Sequence, residues 1–151
     1  MSISLKEAGE IILITGAGGA FGSILRSGNL GEIIETNFSG LEVGIFLSFI
    51  LAAILKTAQG SSTVAIITAA TIIAPMMDML GLDTELSRAL AVLAIGAGSM
   101  TISHINDSYF WVVSQFSGMD TKTTLKSHSA ATLIQGIVAI LLLSLVQYIM
   151  I

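Results

Sequence analysis

The stretch KTAQGSST, from Lys56 to Thr63, interrupts one of the most hydrophobic regions of this 151-residue chain. Seven of its eight residues are polar or glycine, whereas the flanking runs 43–55 and 64–77 are largely apolar. Hydroxyl groups, an amide and a cation between two apolar runs require a structural explanation. The lengths of the two runs provide this explanation once the solvent of the chain is known, and the composition indicates that solvent.

The composition favours a lipid bilayer as that solvent. Hydrophobic residues make up 54% of the sequence and charged residues 11%, whereas soluble domains usually carry about 25% charged residues. So few charges could not cover the surface of a soluble globule. Without cysteine there is no disulfide or thiol chemistry, and a net charge of −4 gives no basic surface for nucleic acid. Neither a metal nor a cofactor is predicted.

The run lengths predict two kinds of membrane helix. A spanning helix needs about 20 apolar residues, so spans are predicted over about 8–27 and about 129–151. The runs on either side of KTAQGSST are each too short to span the bilayer, and joined they are too long. They therefore predict a re-entrant helical hairpin over about 41–80, with its polar tip at 57–63.

A second polar interruption lies further along the chain. The apolar run 89–103 and the aromatic YFWVV, 109–113, flank HIND, His104 to Asp107, which predicts one broken membrane helix over about 86–117. Non-helical backbone at membrane depth is tolerated where it is buried in protein or lines a cavity. Interrupted helices commonly surround a substrate or ion. The fold class is therefore an all-α membrane protein, and its two breaks indicate transport.

Charge placement predicts an orientation for these segments. Lys122, Lys126 and His128 cluster just before the final run, whereas 31–35 and 78–88 are net acidic. Because Lys and Arg favour the cytoplasmic side, the loop that carries the cluster is predicted to be cytoplasmic, and the open end of the hairpin is predicted to face outside.

The glycine-rich ITGAGGAFG, Ile14 to Gly22, leaves other interpretations open. It looks like the phosphate-binding turn of a short-chain dehydrogenase. No acidic residue closes a βαβ unit about twenty positions on, and Val113 follows Tyr109 where that family has lysine. Helix packing through Gly18-x-x-x-Gly22, or a bend beside a substrate cavity, are the other two possibilities.

The hairpin tip offers several groups to a ligand. Gly60 permits a turn with positive φ. The serines or threonines of the tip can cap the half-helix that starts near Thr63. That N-terminus favours an anion. Lys56 could pair with a substrate carboxylate or with Asp107, or its ammonium could reach an aqueous cavity. The competing interpretation of the tip is a polar loop at the membrane surface.

The helix break holds the two strongest ionisable candidates, His104 and Asp107. Ionisable groups inside a membrane are costly and usually functional. Histidine titrates near neutral pH, and a buried aspartate can carry a proton. Asn106 and Ser108 add neutral hydrogen-bonding groups. In the alternative interpretation, Asp107 only caps a helix that begins at Tyr109, and His104 only satisfies a backbone carbonyl.

Three long motifs closely resemble the gluconate permease family. They are LITGAGGAFG (13–22), ILKTAQGSSTVAIITAA (54–70) and AVLAIGAGSMTISHINDSYFWVVSQFSGM (91–119). The resemblance runs from about Ile11 to the end. It implies a proton-linked symporter of gluconate or a related sugar acid in the bacterial cytoplasmic (inner) membrane, multi-pass and not an enzyme. Members of that family are about three times as long, and this chain resembles their C-terminal third.

The more distant resemblance to the ion-transporter superfamily implies two inverted repeats. This chain is then the second half of an inverted-repeat transporter, and the first repeat supplies the other wall of the site. That superfamily commonly has Ser-Asn-Thr where this chain has Ser61-Ser62-Thr63, which disfavours a sodium site and is compatible with proton coupling. The substrate-binding residues so implied are Gly60, Ser61, Ser62, Thr63, Asn106 and Asp107. The hydrogen-bonding groups of Gln59 and Ser108 complete the predicted substrate-binding set.

The predicted function is therefore proton-coupled uptake of a gluconate-like carboxylate anion, with His104 or Asp107 exchanging the proton. The predicted partners are this anion, the proton, the lipid bilayer and the missing N-terminal repeat; a homo-oligomer stays open. The alternatives are a non-transporting helical scaffold, an inactive fragment, or a short-chain dehydrogenase-like NAD-binding protein. Because one wall of the site is missing, these 151 residues alone are not expected to transport.

Overall fold

The computed structural model describes residues 43–150, together with Ala20, and residues 43–150 contain helices and no strand. The predicted span at 8–27 and the Gly18-x-x-x-Gly22 motif lie outside these described residues. The helices are α1 (Val43–Gln59), α2 (Ser62–Ile73), α3 (Glu85–Ser99), α4 (Ser108–Ser117), α5 (Thr121–Thr124) and α6 (Ala130–Met150). Two short 3-10 turns, Ala74–Met76 and Asp78–Leu80, connect α2 to α3.

Helices α1 and α2 form a helical hairpin whose turn is only two residues long. Gly60 has φ of +83°, a conformation that side-chain-bearing residues rarely adopt. Ser61 follows in extended conformation and its hydroxyl accepts a hydrogen bond from the Val64 amide at 3.3 Å, which caps α2. The turn is therefore narrower than the polar stretch, and the other polar residues of KTAQGSST lie in the ends of the two helices.

Polar residues continue α1 up to Gln59 because their side chains do not disturb the helix. The Thr57 hydroxyl donates to the carbonyl of Ala53, one turn back, at 2.8 Å, a bond that is compatible with a helix. At the other end of the hairpin, Thr84 and Ser87 form a reciprocal capping box that starts α3.

The core lies where α1, α2 and α3 meet, and Ile140 of α6 adds to it. Helix α1 packs most extensively against α3, and α6 also packs against α3. Two glycines permit this close approach. A Cβ at Gly98 would overlap the carbonyl oxygen of Phe49, and a Cβ at Gly136 would overlap the hydroxyl of Thr101. Small residues at helix contacts are the usual means by which helices associate in membranes. The main buried side chains are Ile45, Ala52, Ala69, Ile73, Leu90, Ala94 and Ile140.

Helices α5 and α6 form one continuous helix, because the π turn Leu125–Ser129 joins them. The continuous helix begins at Thr121 rather than near 129, since Asp120 caps it by accepting the Thr123 amide hydrogen at 2.7 Å. Within the described part of the chain, this 30-residue segment is the one helix long and apolar enough to cross a membrane. Its outer face is apolar and exposed, as lipid contact requires; examples are Ile134, Leu141, Leu142 and Ile149.

Two glycines of α3 provide a matched test of this packing. We expect Gly98→Ala to lower the free energy of unfolding by about 1–3 kcal/mol, because α1 and α3 must separate to admit the methyl group. Gly96→Ala is the control, since among the described residues its Cβ would meet nothing within 4 Å. It should leave stability unchanged or raise it slightly. Thermal unfolding of the purified protein in detergent measures both, and equal stability of the two variants would contradict this packing.

Candidate functional site

The chain leaves helical conformation between α3 and α4, over residues 100–107. This break is fastened to the final helix by two hydrogen bonds at Ser103. The Ser103 amide donates to the Thr132 hydroxyl at 3.0 Å, and the Ser129 hydroxyl donates to the Ser103 carbonyl. Backbone groups that leave a helix need such partners when they are buried. The break is therefore a fixed structure supported by α6.

Asp107 ends the break and starts α4. Its backbone is extended, and Oδ1 accepts the Tyr109 amide hydrogen at 3.0 Å, which makes Asp107 the N-cap of α4. Oδ2 accepts the hydroxyl hydrogen of Ser103 and lies 2.7 Å from the Nζ atom of Lys56. The capping role considered from the sequence is therefore present, and Asp107 also forms an ion pair.

Lys56 joins the hairpin tip to the break. The residue lies in the last turn of α1 and is only 2% exposed, and Asp107 is 5% exposed. The Lys56 ammonium donates a hydrogen bond to the Gly60 carbonyl at 2.7 Å and forms an ion pair with Asp107 at the same distance. The sequence left three roles open for Lys56: pairing with a substrate carboxylate, pairing with Asp107, or reaching an aqueous cavity. In the structure it pairs with Asp107. A buried ion pair is stable only when its geometry is good and its remaining groups are hydrogen-bonded, and both conditions hold here.

Asn106 provides a second link between tip and break. Its side-chain amide donates to the Thr57 carbonyl at 2.7 Å, which satisfies one of the free carbonyls at the C-terminal end of α1. The backbone carbonyl oxygen of Asn106 lies so close to Gly60 that a Cβ on residue 60 would overlap it. Gly60 is therefore required both by its positive φ and by this contact.

The remaining predicted site residues differ in their exposure. Gln59, Thr63 and Ser108 are exposed, and Ser61 is partly buried with its hydroxyl used as the α2 cap. His104 is also partly buried, and its carbonyl accepts the Asp107 amide hydrogen at 2.8 Å. The structure thus brings together the predicted tip and break, with some polar groups facing outward and others inward.

The inward-facing groups line a cavity of about 480 Å³ between the tip, the break and the final helix. Lys56, Ser62 and Asp107 line it, together with two residues that sequence reasoning missed, His128 and Gln135. Cavities of this size hold small organic ligands. A sequence signal for the missed pair exists: positions i and i+7 of one helix lie on the same face, and His128 and Gln135 are polar residues at that spacing.

Comparison with known families places this chain. The sequence model of the GntP family permeases matches residues 1–149. The chain belongs to the GntP permease family. The resemblance predicted from three motifs is confirmed, and family membership implies a membrane protein.

Individual relatives of this GntP family chain are transporters by name. The gluconate permease of Pseudomonas aeruginosa is 40% identical over 147 residues, which cover 95% of this chain and 32% of that protein. The gluconate permease of Bacillus subtilis is 36% identical over 149 residues, 96% of this chain and 32% of the relative. The D-serine transporter DsdX of Escherichia coli is 38% identical over 132 residues, 87% of this chain and 29% of the relative.

This GntP family chain therefore spans about a third of the length of the curated relatives that it matches. These three relatives are named as permeases or transporters rather than as enzymes. No solved structure matches the chain.

The Lys56–Asp107 pair is testable by a double-mutant cycle. We expect Lys56→Met and Asp107→Asn each to destabilise the protein by about 3–5 kcal/mol, because each leaves an unpaired buried charge. Asparagine retains the capping ability of Asp107, so the second variant removes mainly the charge. The double variant should lose much less than the sum of the two. Unfolding in detergent measures the cycle, with Lys126→Met, an exposed lysine, as the control; strictly additive losses would contradict a direct pair.

Proposed function

We propose that this chain is the C-terminal part of a transporter that takes up gluconate or a related sugar acid, coupled to protons, across the bacterial cytoplasmic membrane. One observation carries the proposal: in a chain of the GntP permease family, the buried Lys56–Asp107 pair joins a polar hairpin tip to a helix break. Two interrupted helices that meet at a polar junction are the usual construction of a substrate site in secondary transporters.

We propose that the α1–α2 hairpin is re-entrant. Its helices have 17 and 12 residues, whereas a spanning helix needs about 20. Both are apolar outside the tip, so they are suited to lipid or protein surroundings. A hairpin that enters the membrane and returns would place the tip, with its ion pair, near the middle of the bilayer, where charged groups are retained chiefly for function.

The chemistry of the relatives' substrates supports a carboxylate as the group that the site binds. Gluconate and D-serine, after which relatives are named, are both carboxylates that carry a hydroxyl group and a polar substituent beside the carboxylate. The tip offers hydroxyl and amide groups to such substituents. The N-terminus of α2 lies at this tip and carries partial positive charge, which favours a carboxylate.

We propose that a preceding inverted repeat supplies the second wall of the site. Gln59, Thr63 and Ser108 are exposed, so such a repeat could contact them and complete a binding site. The chain spans about a third of its relatives, so length is available for that repeat. The substrate would lie between the two repeats, and alternating access would expose it to each side in turn.

The proton carrier predicted from the sequence was His104 or Asp107, and this assignment stays a prediction. Asp107 is already paired with Lys56 at 2.7 Å. Protonation of Asp107 would remove the charge that Lys56 pairs with and weaken the link between tip and break. Proton binding there would therefore change the structure as well as the charge of the site.

Uptake of labelled gluconate by the complete permease that contains this chain tests the substrate site. In cells that lack other gluconate uptake, Ser62→Ala and Thr63→Val should each raise the half-saturation concentration about 5- to 10-fold, as expected for the loss of one hydrogen bond of about 1 kcal/mol. Ser117→Ala is the control, because that hydroxyl bonds within its own helix. If the tip is only part of a scaffold, Ser62→Ala and Thr63→Val should leave gluconate uptake unchanged. That result would refute the proposal.

A further inference from the structure

The cavity under the hairpin tip has no net charge when its histidine is neutral. Its two fully charged lining groups, Lys56 and Asp107, pair at 2.7 Å and neutralise each other. An anion that entered this cavity alone would bring an uncompensated negative charge into a poorly solvated site, which is costly. A group that gains a positive charge as the anion enters would remove that cost.

His128 is placed to be that group. It lies in the π turn Leu125–Ser129, and π turns within α-helices occur frequently at functional sites. Its ring packs edge-on against Tyr109, with 5.8 Å between ring centroids, and near Phe110 at 6.4 Å. Its Nε2 atom is buried and has no hydrogen-bond partner among the described residues. Buried polar atoms without partners are rare and require an explanation.

The groups around His128 leave room for a carboxylate partner. Asp107 is the acidic residue that lines the cavity with it, and that carboxylate already binds Lys56, Ser103 and the Tyr109 amide. The remaining titratable or charged groups on the elements packed against His128 are the Tyr109 phenol from α4, the exposed Lys122 and Lys126 of its own helix, and Asp120, which caps α5. None of these supplies a free anion inside the cavity.

We propose that this cavity binds the carboxylate of the transported anion and that His128, rather than His104, carries the coupled proton. The inference rests on the proposed function and specifies its ligand contacts. A hydronium ion of the aqueous solution gives its proton to the Nε2 lone pair and leaves as water, and the resulting N–H donates a hydrogen bond to the carboxylate. Ser62, which belongs to both the tip and the cavity, and Gln135 are the further donors.

One proton per anion follows from this charge balance. The paired Lys56 and Asp107 contribute zero, the protonated His128 contributes +1, and the carboxylate contributes −1. Proton and anion therefore enter together and leave together, because either one alone leaves the cavity charged. His104 does not line the cavity, so its side chain has no such relation to the anion.

Transport by the reconstituted complete permease tests this inference. In the wild type, the half-saturation concentration for gluconate should rise about tenfold per pH unit once the histidine is deprotonated, because one proton binds with each anion. In His128→Gln it should be high and independent of pH, and an imposed proton gradient should no longer drive accumulation. Exchange of gluconate across the membrane without a gradient should continue. Lys126→Gln, an exposed residue of the same π turn, should behave as the wild type.

The outcomes separate the inference from the function on which it rests. If the wild type takes up gluconate and His128→Gln still accumulates it with a normal pH profile, His128 is not the proton carrier. The same conclusion follows if His104→Gln, and not His128→Gln, abolishes accumulation. If the wild type takes up no sugar acid or other small carboxylate, the proposed function fails and the inference with it.

A second measurement on the wild type covers the case in which His128→Gln does not fold. Protons taken up from a weakly buffered solution are counted while gluconate binds to the purified permease at a pH where histidine is mostly neutral. About one proton per bound anion is expected, because the proposed charge balance adds one proton to the cavity with each carboxylate. Binding of gluconate without proton uptake would overturn the inference.

Discussion

The ion pair between Lys56 and Asp107 is the interaction on which the rest of this structure depends. One ammonium group, 2.7 Å from each of two acceptors, closes the hairpin turn at Gly60 and holds the carboxylate that starts α4. Taking both charges out of water is costly, and each is retained only because its partners are in place. The tip, the break and the beginning of α4 therefore form one unit. A ligand or a proton that altered either charge would act on all three elements at once.

This unit is also attached to the final helix, so a change of charge at the ion pair could affect the position of that helix. Ser129 and Thr132 hold the backbone of the break at Ser103. Gly136 allows α6 to approach Thr101, and Gly98 allows α3 to approach α1. Ser103 and Thr132 also line the cavity, with other groups from the tip, the break and the final helix on its walls. In the proposed transporter, binding in this cavity would couple the charge state of the site to the positions of the helices around it.

The sequence predicts the main features of this site but not all of its residues. Run lengths and two polar interruptions are enough to predict a helical hairpin and a broken helix, and Asp107 was one of the partners considered for Lys56. The turn is narrower than the polar stretch because Thr57 bonds back to Ala53 and stays helical. His128 was missed because it stands beside Lys122 and Lys126, a charge pattern typical of a cytoplasmic loop. The burial of its Nε2 atom depends on the π turn and on packing against α4, and periodicity specifies neither.

A distance measurement in a lipid bilayer tests the central contact most directly. The protein is labelled with ¹⁵N at lysine Nζ and ¹³C at aspartate Cγ, and solid-state NMR measures the dipolar coupling between them. A Lys56 Nζ atom 2.7 Å from Oδ2 of Asp107 predicts strong coupling for one lysine, and this signal should disappear in Asp107→Asn. Weak coupling for every lysine, or coupling that persists in Asp107→Asn, would mean that the hairpin tip and the helix break do not meet through this pair.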